Sequence, residues 1–92
     1  MLKIKKGLVL RQVGTQYCVV PVGEMYKTFR GIINLNSTGA FIFSKLTEGS
    51  TFDDLVNAMT NEYDVDKEKA KEDISSAIDA FRTLNILEDD NH

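Results

Sequence analysis

The stretch that most constrains this chain is Asn34-Leu35-Asn36-Ser37-Thr38-Gly39-Ala40-Phe41-Ile42-Phe43-Ser44-Lys45-Leu46, in which an extended apolar segment, Gly31-Ile32-Ile33, runs straight into a helix. Asn36 and Ser37 each carry a short side chain whose oxygen can accept from the free N–H groups of a first helical turn. Beyond them Ala40, Phe41, Ile42, Phe43 and Leu46 bury the helix on most sides, and Gly49 ends it after Thr47-Glu48. A helix this apolar must lie between other elements. The β-rich N-terminal third is expected on one side of it and the helical C-terminal half on the other.

The N-terminal third reads as strands. Leu8-Val9-Leu10-Arg11-Gln12-Val13 is rich in β-formers, Gly14-Thr15 supplies a two-residue turn, and Gln16-Tyr17-Cys18-Val19-Val20-Pro21-Val22 follows as the partner strand. Pro21 has no N–H, so its end of the strand is expected at a margin. Gly23-Glu24 signals another turn, and a third strand is expected between Met25 and Leu35. In it Phe29, Gly31, Ile33 and Leu35 would point one way and Arg30, Ile32 and Asn34 the other. Gly31 suggests a bulge or a close backbone approach.

After the apolar helix every signal is helical. Thr51, with Asp54 three residues on, caps a second helix whose apolar positions are Phe52, Leu55, Val56, Met59 and Tyr63. Asp66 caps a third, with Val65 and Ala70 placed for a hydrophobic staple. Its stripe is Ala70, Ile74, Ala77, Ile78, Phe81 and Leu84, and Asn85 suits a left-handed C-cap. The expected fold is therefore α+β: a small winged helix-turn-helix-like domain over residues 1–92, three antiparallel strands and then three helices. Residues 1–7 and 88–92 are expected as flexible ends.

Most chemistry is excluded by what the sequence lacks. Among 92 residues the one histidine is His92, at the terminus, and the one cysteine, Cys18, sits mid-strand among apolar neighbours. No Cys/His spacing suits zinc, and Asn36-Ser37-Thr38-Gly39 lacks the lysine of a phosphate loop. No catalytic site, cofactor or metal is expected. No apolar run approaches the ~20 residues of a membrane span, and a lone cysteine fits a cytoplasmic protein.

Charge is unevenly spread. Residues 1–31 carry six cations against Glu24, a net +5, whereas residues 32–92 carry five cations against thirteen acids, a net −8. A winged-helix DNA-binding regulator is the alternative reading, and charge argues against it. The third helix balances Lys67, Lys69, Lys71 and Arg82 with Glu68, Glu72, Asp73 and Asp79, giving no positive face for phosphates.

Leu35-Asn36-Ser37-Thr38-Gly39-Ala40, followed by Phe41-Ile42-Phe43 and Leu46, resembles the LNxTGAxIWxLL signature of the PqqD-like family. The likeness continues through Gly49, Thr51-Phe52-Asp53-Asp54-Leu55 and Glu62-Tyr63-Asp64-Val65-Asp66, covering nearly the whole chain. Phe43 stands where the family commonly has Trp, and Asn85 where it usually has Gly. The resemblance implies a non-catalytic RiPP recognition element, which binds the leader of a ribosomally made precursor peptide. Such an element presents the leader to a modifying enzyme, often of the radical-SAM type. It also implies how the peptide binds: as an added strand beside the third strand and against the third helix. Carried over residue by residue, the receiving edge is Phe29, Arg30, Gly31, Ile32, Ile33 and Asn34. The helical wall is Lys71, Asp73, Ala77, Ala80, Phe81 and Leu84. Lys27 and Arg30 would favour acidic residues in the leader. An open sheet edge also leaves room for a homodimer.

Overall fold

The computed structural model describes residues 1–29 and 31–89. In chain order the elements are β1 (Leu2–Ile4), β2 (Leu8–Val13), β3 (Gln16–Pro21), α1 (Met25–Thr28) and β4 (Ile33–Leu35). They continue with α2 (Ser37–Glu48), α3 (Phe52–Glu62), α4 (Lys67–Thr83) and β5 (Leu87–Asp89). The fold is α+β, built on a three-stranded antiparallel sheet in the order β2-β3-β4.

Three sequence expectations change. The third strand was expected from about Met25, but Met25–Thr28 forms a single helical turn and the strand proper is only Ile33–Leu35. The first seven residues, expected as a loose end, contain β1, and Glu88 and Asp89 belong to β5, its antiparallel partner. The simple order of three strands and three helices therefore gains a short helix and a second, two-stranded sheet. Short-range pattern could not show this, because β1 and β5 have only three residues each and lie at opposite ends of the chain. Residues 90–92 of the expected flexible tail lie outside the described residues.

Backbone alternation explains why β4 is short. The Val22 amide donates to the Gly7 carbonyl at 2.8 Å, one residue beyond the β2–β3 ladder, and marks which residues along it form hydrogen-bonded pairs. In an antiparallel ladder such pairs recur at every second residue. Tyr17, Val19 and Pro21 therefore turn their main-chain groups toward β4. Tyr17 faces Leu35 and Val19 faces Ile33. The next station would need an N–H from Pro21, which has none, and on the β4 side it falls at Gly31, whose φ of +132° is far from a strand value. Pairing stops there.

The core forms where α2 meets the inner face of this sheet and the two long helices. Phe43, Ile42 and Leu46 of α2 are fully buried with Val19 of β3, Leu55 and Met59 of α3, and Ile74 and Phe81 of α4. The Phe43 and Phe81 rings meet edge to face, with centroids 6.0 Å apart and planes at 85°. Side-chain caps set the three long helices: Asn36 accepts from the Gly39 amide, Thr51 from Asp54 and Asp66 from Lys69. At the end of α4 the Ile86 amide donates to the Phe81 carbonyl and that of Asn85 to Arg82, with Asn85 at φ +60°. This is a Schellman closure, and it aims Ile86 into the core.

β1 ties the ends together. Leu2 exchanges two 2.8 Å backbone bonds with Ser50, in the α2–α3 connection, while the strand pairs with β5 on its other side. The Lys5 amide also donates to the Ile86 carbonyl. Truncating Phe43 to Ala is expected to lower the unfolding free energy by about 3–5 kcal/mol, as large apolar truncations in a packed core do. Urea denaturation measures it, and a loss below about 1 kcal/mol would show that the contact with Phe81 is not central to the core.

Candidate functional site

The turn from β4 into α2 sets up the site. The Asn36 side-chain oxygen accepts from the Gly39 amide at 2.7 Å, and its carbonyl accepts from Ala40 at 2.9 Å. A side chain at Gly39 would place its Cβ 3.2 Å from that same Asn36 oxygen and 3.4 Å from Leu35. Glycine keeps the cap closed and the backbone bare. The Leu-Asn-x-x-Gly run is thus a hinge of fixed angle between a strand and the core helix.

β4 has one free edge. Because Ile33 and Leu35 direct their main-chain groups to β3, the N–H and C=O of Asn34 point away from the sheet, and those of Ile32 continue the alternation. Beside this edge runs a groove of about 570 Å³, bounded by β4, the first turn of α2 and α4. Its apolar side is formed by Leu35, Ile42, Ala77, Ala80 and Phe81. Polar groups come from Asn34, Asn36, Thr38, Ser76, Lys69 and Asp73. Small residues on α4 make the room: Ser76, Ala77 and Ala80 face the groove where larger side chains would close it.

The charged pair in the groove is internally matched. Lys69 Nζ lies 3.1 Å from the Asp73 carboxylate, one helical turn on. Its hydrogen bond to Asp73, with the attraction of the Asp73 and Glu72 carboxylates, raises the exposed Lys69 ammonium above its ordinary value. Among the described residues, no group of three or more His, Cys, Asp or Glu could hold a metal ion. No helix among them is long and apolar enough to cross a membrane.

Of the residues expected at the site, Asn34, Asp73, Ala77, Ala80 and Phe81 line this groove together. Ile33 turns inward against the core, as does the half-buried Phe29. Gly31 and Ile32 are exposed just before β4. Lys71 is exposed and lies off the groove, on another flank of α4, and Leu84, at the C-cap, also does not line it. Arg30 lies outside the described residues, and Lys27 is ion-paired with Glu24 at 3.6 Å. Leu35, Asn36, Thr38, Gly39, Ile42, Lys69 and Ser76 join the groove without having been singled out for it. The signal was present on α4, where 69, 73, 76 and 80 form one helical stripe beside the buried one.

Two solved structures share the fold. One is TbiB1 in complex with the TbiA(beta) leader peptide, at TM-score 0.73 and 23% identity, covering 94% of this chain and 94% of that one. The other is lasso peptide synthetase B1 complexed with the leader peptide, at TM-score 0.72 and 19% identity, covering 96% and 98%. No curated protein matches the chain. The family model for coenzyme PQQ synthesis protein D (PqqD) matches residues 10–87, from the second strand to the start of the last, so the chain belongs to the PqqD family.

Proposed function

We propose that this chain is a non-catalytic peptide-binding domain of the RiPP recognition type. It captures the leader of a ribosomally made precursor peptide as a fourth strand beside β4 and presents it to a modifying enzyme of the radical-SAM class. The observation that carries this reading is the juxtaposition of an open strand edge with a partly apolar groove. An added strand gains main-chain bonds from Asn34 and Ile32 and drops alternate side chains between β4 and α4. Both structural neighbours hold leader peptides, which supports the same reading. The layout is winged-helix-like, with the β2–β3 hairpin as the wing, and the protein works in the cytoplasm.

The test is a calorimetric titration with the short peptides encoded beside the gene, followed by amide-shift mapping. Micromolar or tighter binding is expected, with shifts concentrated at 32–36 and along the 69–80 flank of α4. Shifts confined to other surfaces would remove the edge-strand reading.

Two substitutions sharpen it. Ala80→Phe fills the groove from an exposed helical position and is expected to weaken peptide binding at least tenfold, while Leu84→Ala and Lys71→Ala leave it nearly unchanged. Equal losses from all three would show that α4 contributes no defined wall. Arg30→Glu is expected to weaken binding of an acidic leader and to abolish its salt sensitivity. Equal affinity of the two proteins at low salt refutes the acidic preference.

A further inference from the structure

The β2-β3-β4 sheet has a second face, turned away from the helices. Leu8, Leu10, Tyr17, Val19, Ile33 and Leu35 face the helices. The residues between them face outward. The observed registers align these in rows: Val9 is opposite Val20, and Arg11 opposite Cys18, which is opposite Asn34. Continuing each strand's alternation by one residue adds Ile32 beside Val20, and Val22 at the end of β3.

This outward face is unusually apolar for a solvated surface. Val9 is 36% exposed, Val13 69%, Val22 41% and Ile32 64%, and these are four of the seven large hydrophobic side chains exposed among the described residues. Antiparallel sheets with one solvated face normally alternate polar residues outward. Here Val9, Val20, Val22 and Ile32 form one apolar patch bordered by the row of Arg11, Cys18 and Asn34, with Val13 beyond that row, and such patches mark interaction surfaces. Its charge is one-sided as well: across β2, β3 and β4 the sole ionisable acid or base of the Asp/Glu/Lys/Arg kind is Arg11. Two copies packed face to face would bring their arginines onto the same surface with no carboxylate to receive them. A partner with an apolar strip and a carboxylate fits instead.

The patch is also continuous with the peptide edge, since Ile32 and Asn34 belong to both. A strand added beside β4 extends the sheet, so its outward side chains prolong the rows Val9–Val20–Ile32 and Arg11–Cys18–Asn34. Resting on the peptide-binding reading above, we infer that the outer sheet face is the docking surface for the modifying enzyme. The enzyme contributes an apolar strip flanked by Asp or Glu and meets the outward side of the bound leader at the β4 margin.

The experiment measures binding of the modifying enzyme encoded beside the gene, purified, to the full-length chain without peptide, by biolayer interferometry. The variants are Val9→Asp/Val13→Asp and Arg11→Glu, all on exposed positions of β2 and far from the groove. Each is checked for a wild-type urea midpoint. Where the aspartates lower it, Arg11→Glu decides alone. The expected result is at least tenfold weaker enzyme binding in both variants with unchanged leader affinity. Arg11→Glu should also lose the salt dependence. Wild-type enzyme affinity in the folded variants overturns the inference, and so does a wild-type chain that does not bind the enzyme. It is equally overturned if enzyme affinity holds while the aspartates split a wild-type dimer, or while Arg11→Glu abolishes retention on duplex DNA. The face would then belong to a second copy or to nucleic acid. Enzyme binding that follows the prediction in a chain that binds no leader leaves the docking face standing and removes the groove reading.

Discussion

The fold turns on the cap between β4 and α2. One side-chain oxygen, that of Asn36, receives the Gly39 amide at 2.7 Å and so sets the direction in which the core helix leaves the sheet. An N-cap of this kind is worth about 1 kcal/mol, but its geometric consequence is larger. The helix it starts carries Ile42, Phe43 and Leu46 into the centre of the molecule, and Phe43 meets Phe81 there. Phe81 lies on α4, so the same chain of contacts places α4 beside the free edge of β4. The groove exists because a capped turn, an aromatic pair and a strand edge share one frame.

A second constraint acts by subtraction. Pro21 cannot donate, so β4 pairs over only three residues and its free edge offers few main-chain stations. A peptide bound there would gain a short ladder, and selectivity would then come from side chains in the groove. That division suits a recognition module. A long bare edge pairs with any extended chain, whereas a short one beside a shaped groove requires both a strand and the right residues. The small side chains Ser76, Ala77 and Ala80 leave that shape open, and the matched Lys69–Asp73 pair keeps it without net charge.

The sequence made the central elements legible and lost the marginal ones. The apolar helix, both following helices, their caps at Asn36, Thr51 and Asp66, and the left-handed Asn85 all carry local chemistry that depends on little beyond a few neighbours. The hairpin was readable for the same reason. β1 and β5 were not, because a three-residue strand has no periodicity and its partner lies more than eighty residues away. The short α1 was hidden because Met25–Thr28 makes a single helical turn, too short for a helical period to show. At the groove, the family resemblance rather than local pattern named Asn34, Asp73, Ala77, Ala80 and Phe81, which line it together. Lys71 and Leu84, carried over from the family resemblance, do not line the groove: Lys71 sits on another flank of α4, and Leu84 lies at its C-cap, beyond the groove's end.

The two faces of the sheet offer different surfaces because their neighbours differ. The inner face is consumed by packing on α2, so Val19 is wholly buried. Among the described residues no equivalent layer buries the outer face, yet Val9, Val20 and Ile32 stand there beside the polar row of Arg11, Cys18 and Asn34. A peptide joining the sheet at β4 touches both environments at once, since successive residues of a strand alternate sides. In the proposed mode, residues of one parity would enter the groove, and residues of the other would stand beside Ile32 in the open. A leader bound in that mode would thereby become part of an outward surface that did not exist before it arrived. That is the physical sense in which a small domain of this kind could present a bound peptide.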